Sequence, residues 1–220
     1  MPHTTTTDIL ISINDTISLS GILSIPEHAI GIVLFAHGSG SSRLSPRNTF
    51  VANTLNKDHI ATLLIDLLTE TEDSLYETRF NIDLLTERLG AVAQWLSKHE
   101  TIKDLPLGLF GASTGAASAL NLAAIMPDQI NSIVSRGGRP DMSTLHLPRV
   151  QAPTLLIVGG DDDVVIDLNK HAYAQLQCEK KFSIIPGATH LFEEPGTLEQ
   201  VANEATHWFL TYFRSTKKRP

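Results

Sequence analysis

The feature that most constrains this chain is a series of six short apolar runs separated by stretches of helical periodicity. The runs are Gly31–Ala36, Ile60–Ile65, Leu105–Phe110, Ile130–Ser135, Thr154–Val158 and Phe182–Ile185. Runs of this length, rich in Ile, Leu and Val, fit strands covered on both faces, as in a parallel sheet. Between them, Ile82, Leu85, Leu89, Val92 and Leu96 recur at steps of three and four, which predicts an amphipathic helix from Thr78 to Lys98. A second, alanine-rich helix is expected from Ser113 to Ile125. A third carries the stripe Val201, Ala205, Trp208 and Tyr212. Trp95 and Trp208 lie on such stripes and read as core anchors. Ahead of the runs, Ile9, Ile11 and Ile13 alternate with Leu10, Ser12 and Asn14. After an Asn14-Asp15 turn, Ile17 and Leu19 lead into a second strand that Pro26 closes, which reads as an antiparallel hairpin. Strand and helix alternating in this way mean an α/β domain with a mostly parallel sheet. No repeat or Gly/Ser-rich linker divides the chain, so residues 1–220 are expected to form one domain.

Composition excludes several function classes. With 42% apolar and 19% charged residues the chain reads as an ordinary soluble globular protein rather than a disordered one. A formal charge of −7 argues against a nucleic-acid binder that relies on a basic face. The single cysteine, Cys178, forbids an intramolecular disulfide and leaves no cysteine-rich zinc site. The N-terminus lacks a basic segment followed by an apolar one, and the apolar stretch Ile30–Ala36 falls far short of the ~20 residues that span a bilayer. The basic tail Lys217-Lys218-Arg219 reads as solvated. A cytoplasmic protein, bound neither to membrane nor to nucleic acid, is the expectation, as a monomer or a homodimer.

In a parallel sheet, functional groups gather where the carboxyl ends of strands turn into helices. The stretch Gly111-Ala112-Ser113-Thr114-Gly115 sets Gly-x-Ser-x-Gly between an apolar strand and the alanine-rich helix. A serine on such a turn is strained and exposed, and the flanking glycines let neighbouring backbone approach. The competing reading is a glycine-flanked N-cap serine. A serine nucleophile needs a base, and the base needs an acid. Both follow in the required order. Thr154–Val158 runs into Gly159-Gly160-Asp161-Asp162-Asp163, and Phe182–Ile185 into Pro186-Gly187-Ala188-Thr189-His190. Of the three aspartates, Gly159-x-x-Asp162-x-x-Val165 favours Asp162, with Asp163 second and Asp161 third. A metal site at the triplet would need further oxygen ligands that Val164-Val165-Ile166 does not supply.

Nine histidines are present, and most lie in loops or on helices. His37 ends an apolar run and opens His37-Gly38-Ser39-Gly40-Ser41-Ser42-Arg43. We read it as orienting that loop rather than as the base. The backbone N–H groups of Ser39 and Thr114 are then the expected oxyanion donors. Arg43, Arg136 and Arg139 are candidates to recognise a substrate carboxylate, since a guanidinium fork suits that geometry. The plainer alternative for them is a loop stapled by ion pairs to Asp66 or Asp141.

Together these motifs resemble the α/β-hydrolase superfamily, and more closely its compact dienelactone-hydrolase-like branch. The resemblance runs from the His37-Gly38-Ser39-Gly40 loop through the Gly111–Gly115 elbow and Gly159–Val165 to His190. It implies an eight-stranded sheet, antiparallel only at its start, with helices on both faces. It further implies a hydrolase working without cofactor through Ser113, Asp162 and His190. Typical dienelactone hydrolases use cysteine as nucleophile. Serine at position 113 points instead to general carboxylic-ester or thioester chemistry on a small acyl substrate. Leu67 to Thr78 and Arg136 to Val150 are too short to form a large cap, so an open, shallow site is expected. Thioesterase or acyltransferase chemistry on the same triad, or a non-catalytic ligand-binding protein on the same fold, are the alternatives.

Overall fold

The computed structural model describes residues 2–216; the basic tail lies outside the described residues. Eight strands form one sheet: β1 (Thr4–Ser12), β2 (Ser18–Pro26), β3 (Gly31–Ala36), β4 (Ile60–Ile65), β5 (Leu107–Ala112), β6 (Ile130–Arg136), β7 (Thr154–Gly159) and β8 (Lys180–Ile185). Their spatial order is β1-β2-β4-β3-β5-β6-β7-β8. β1 pairs with β2 and β2 with β4 in antiparallel fashion, and all later pairings are parallel. The hairpin turn is held by the Asn14 side chain, whose Oδ1 accepts the N–H groups of Thr16 and Ile17.

Strand periodicity sorts the core into two layers. Ile32, Leu34 and Ala36 of β3 face α4 (Ile82–Leu96) and α5 (Thr114–Ile125). Val33 and Phe35 face α1 (Pro46–Lys57) and α7 (Thr197–Thr216), where Val51, Leu55, Phe209 and Phe213 complete the second layer. β3, β4, β5 and β7 are buried from end to end, and β6 at every position but the half-buried Asn131, as strands covered on both faces require. β8 differs: as an edge strand it keeps Lys181 and Ile184 exposed.

The helix expected from Thr78 to Lys98 is interrupted. Two single turns, α2 (Glu70–Asp73) and α3 (Tyr76–Arg79), precede α4. Asn81 is the reason for the break: its side chain accepts the Leu84 N–H and caps α4 at that point. Between β6 and β7 only two short 3-10 turns, Pro140–Ser143 and Leu147–Arg149, are formed. α6 (Asp163–Gln175) follows β7. No helix among the described residues is long and apolar enough to cross a membrane.

Candidate active site

The turn from β5 into α5 is built around one unusual residue. Ser113 is held at φ 50°, ψ −121°, a left-handed backbone that L-residues other than glycine seldom adopt. Neighbouring strands enforce it. Ser113 N–H donates to Arg136 O at 3.3 Å, and Arg139 N–H donates to Ser113 O at 3.0 Å. A Cβ at Gly115 would sit 2.2 Å from Ala36 O, and one at Gly111 would sit 2.4 Å from Ala116 Cα. Both positions are thus closed to any other residue, which explains the glycine spacing around the serine. Ser113 does not cap α5 with its side chain, which removes the N-cap reading.

The second group comes from the far side of the sheet. His190 Nδ1 and Asp162 Oδ2 are 2.7 Å apart, with the His190 side chain 40% exposed and that of Asp162 15%. Asp162 occupies the N-cap position of α6 yet makes no cap bond, because its carboxylate turns to the imidazole. Asp161 and Asp163 stand exposed on either side. The turns after β7 and β8 are laced together by Gly160 N–H to Ile185 O and Asp161 N–H to Ala188 O, at 2.8 and 2.9 Å. Glu194 steadies the same loop, accepting the Thr189 N–H at 3.1 Å and its hydroxyl at 2.6 Å. Those bonds hold the Glu194 carboxyl below its ordinary range.

The loop after β6 joins the two groups. Gly137, at φ 52°, lies against the imidazole: a Cβ there would fall 3.5 Å from His190 Cε1 and Nδ1. The residues on either side, Arg136 and Arg139, hold the Ser113 backbone. Among the described residues the His190 side chain is hydrogen-bonded to Asp162, and no hydrogen bond joins it to Ser113 Oγ. His37 is committed elsewhere. Leu67 N–H donates to its Nε2 at 3.2 Å, and its Nδ1 lies 3.0 Å from Gly38 O, so backbone groups occupy both ring nitrogens.

Several of the expected site groups already have partners within the protein. The Ser39 N–H does not stand free: it donates to Thr114 Oγ1 at 2.9 Å. Thr114 N–H, in the first helical turn, is left without an intrahelical acceptor. Among the three arginines, Arg43 is bonded to Asp66 through its backbone N–H and its guanidinium, and Arg139 grips Asp141 with two bonds of 2.9 and 2.8 Å. These two are loop staples. Arg136 is different. It is 7% exposed, meets no carboxylate, lies over the Phe192 ring at 5.8 Å and reaches Asn48 Oδ1 at 3.4 Å. Its buried Nε has no partner. Burial first, and then the nearby Arg47, lower its pKa to about 10. Sequence reasoning missed Asn48, Phe192 and Gly137, because none of them carries a local chemical signature.

A 180 Å³ cleft adjoins this rim, lined by His37, Ser42, Arg43, Asp66 and Glu70. A 290 Å³ cleft lined by Leu96, Ile102 and Leu105 lies at the opposite, amino end of the strands.

No family model matches the chain. It is 51% identical over 196 residues to a Mycobacterium tuberculosis protein named "Putative phosphoribosyl transferase", a match covering 89% of this chain. This chain spans only 44% of that protein's length. Among solved structures, Est1E from Butyrivibrio proteoclasticus superposes with a TM-score of 0.81 at 17% identity, covering 94% of this chain and 99% of the other. A dienelactone hydrolase from Anabaena variabilis superposes with a TM-score of 0.91 at 50% identity, covering 95% of this chain and 98% of its own. Half of the residues are therefore shared over nearly the full length of both chains, and this chain belongs to the dienelactone hydrolase family of the α/β-hydrolase fold.

Proposed function

We propose that the chain is a serine hydrolase that cleaves a small carboxylic ester or related acyl substrate through an acyl-enzyme. The observation that carries this reading is the 2.7 Å His190–Asp162 contact at the same rim as a serine held in a left-handed elbow. His190 takes the Ser113 proton as Oγ attacks the acyl carbon. Asp162 fixes the imidazole tautomer and stabilises the charge it acquires. The proton then passes to the leaving alkoxide, and water attacks the acyl-serine with His190 again as base. The Thr114 N–H faces the developing oxyanion.

Arg136 is the arginine left to recognise a substrate anion, since the other two candidates are neutralised by aspartates. At neutral pH it remains cationic despite its lowered pKa. A hydrogen bond to a charged group contributes ~1.5–3 kcal/mol, so Arg136→Met should selectively slow a carboxylate-bearing ester about tenfold or more against a neutral one. The segments between β4 and α4 and between β6 and β7 form only short turns and no large cap, which favours compact acyl groups. Phosphoribosyl transfer has as its support only the name of a protein of which this chain spans less than half.

The test is covalent labelling by a serine-directed fluorophosphonate beside turnover of activated esters. Ser113→Ala and His190→Ala should each abolish both, with losses on the order of 10⁶-fold in kcat. Normal turnover in either variant overturns the assignment. A chain-length series of p-nitrophenyl esters run beside acyl-CoA substrates separates esterase from thioesterase. No labelling, together with a ligand that raises Tm, would favour a binding protein.

A further inference from the structure

The oxyanion side of the site has an arrangement that backbone donors alone do not describe. Thr114 is the first residue of α5 and is 2% exposed. Its hydroxyl accepts the Ser39 N–H at 2.9 Å. A threonine hydroxyl has two lone pairs and one proton, so this bond uses a lone pair and leaves the proton to be given. Among the described residues that proton has no protein acceptor. The donor loop is pressed onto the serine: a Cβ at Gly38 would lie 2.9 Å from Ser113 Cβ and 3.6 Å from its Oγ. The Thr114 hydroxyl thus ties the Ser39 loop to the residue that directly follows Ser113. A hydroxyl that already accepts from an amide is also a stronger donor, because chained hydrogen bonds polarise one another.

We infer that the second oxyanion donor is the Thr114 hydroxyl, with the Ser39 N–H acting through it as a positioning group. The inference rests on the serine-hydrolase reading. As the Ser113 Oγ–carbon bond forms, the carbonyl π pair moves onto oxygen. That oxygen then accepts two hydrogen bonds from one residue, Thr114 N–H and Thr114 Oγ1–H, and neither proton is transferred. On collapse the pair returns to the carbonyl, and the leaving alkoxide departs with the proton from His190. The side chain after the nucleophile, and not only its backbone, then contributes to the rate.

Thr114→Val tests this directly, because it keeps the shape, deletes the hydroxyl and frees the Ser39 N–H. Wild type, Thr114→Val, Thr114→Ser and Ser113→Ala are compared by kcat and KM on a p-nitrophenyl ester and by fluorophosphonate labelling rate. Loss of one oxyanion donor costs about 10²-fold or more, so Thr114→Val should lose that much in kcat and in labelling rate, with KM little changed. Thr114→Ser should recover most of both. A Thr114→Val enzyme as fast as wild type or faster overturns the inference, because the freed Ser39 N–H is then the donor. A Thr114→Ser enzyme as slow as Thr114→Val, or an effect confined to KM, also overturns it. If Thr114→Val does not melt cooperatively, Thr114→Ala is judged by the same criteria. Wild type that neither labels nor turns over ester removes the serine reading and this inference together. Wild type that labels while Ser113→Ala does not, with Thr114→Val unslowed, removes the inference alone.

Discussion

The β1–β2 hairpin and the β5–α5 elbow solve opposite problems. The hairpin pairs without interruption from Thr4 with Pro26 to Ser12 with Ser18. Thr5, Thr6, Thr7 and Asp8 of β1 are exposed, and β-branched threonine suits a half-solvated pleat. Little depends on any one of these side chains. β5 is six residues long, wholly buried, and ends in a serine at φ 50°. Such a residue costs ~1–3 kcal/mol and persists only where its surroundings over-determine it. Here they do: β6 and its loop hold the serine backbone from both sides, and β3 carbonyls crowd Gly115. Regular structure at the edge tolerates change, whereas the centre of the sheet holds one strained residue where the proposed chemistry happens.

Charge removal offers the widest separation between the two regions. Asp162→Asn leaves the shape of the His190 partner but offers the wrong tautomer. Its kcat should fall about 10⁴-fold, equivalent to ~5.5 kcal/mol of barrier. Asp8→Asn in the hairpin should leave kcat unchanged. Equal activity in the two variants would mean that the rim and the edge do not differ in the way described. The next largest effect is steric. Gly115→Ala places a methyl 2.2 Å from Ala36 O and 2.5 Å from His37 O, both backbone atoms that cannot swing aside. A loss of about 4 kcal/mol in urea unfolding is expected, against less than about 0.5 kcal/mol for Thr5→Ala.

A single type of substitution can be made to change sign between the regions. Ser113→Gly relieves ~1–3 kcal/mol of left-handed strain while adding ~0.5–1 kcal/mol of unfolded-chain freedom, so a net gain of about 1 kcal/mol is expected as activity is lost. Ser24→Gly in β2 has no strain to relieve. It also forfeits a 3.0 Å hydrogen bond to the Thr6 hydroxyl, and should cost about 1 kcal/mol or more. Thermal melting of the two variants measures the contrast. A destabilised Ser113→Gly would show that the elbow is not strained.

The sheet was legible because its signals are local: period-two alternation in the hairpin, and unbroken apolar runs where both faces are covered. The Asp162–His190 contact was legible too, because chain order and a glycine-bounded turn narrow the possibilities before any contact is seen. Other features were hidden, one beneath a stronger local pattern and the rest in contacts remote in sequence. Asn81 looks like one more polar position on an amphipathic stripe until its side chain is seen capping α4. The Ser39–Thr114 bond joins residues 75 positions apart and involves a backbone group, which leaves no trace in composition. For Arg136, pairing of Ala112 with Arg136 sets its place in the sheet, and packing against Phe192 and Asn48 sets its burial. Arg43 and Arg139 carry the same side chain at the same rim, yet each ends on an aspartate. Residue type alone could not separate these outcomes.

The smallest expected difference concerns acid. Glu194 ties down Thr189, the residue before His190, and its carboxyl is held below the ordinary 4.5, first by the Thr189 hydroxyl. A carboxyl depressed in the folded state stabilises fully above its unfolded pKa, and the contribution is lost as pH falls through the folded value. Glu194→Gln should therefore lower Tm slightly at pH 7, and the gap from wild type should close as the pH drops below about 4.5. The effect on Tm is modest because Glu194 lies at the surface, where water competes for its bonds. The readout at His190 is more sensitive: a looser loop would raise the spread of imidazole orientations and lower kcat at neutral pH without moving KM. Identical kcat in Glu194→Gln and wild type would mean that the turn lacing of β7 and β8 suffices to position His190 without the Glu194 tether.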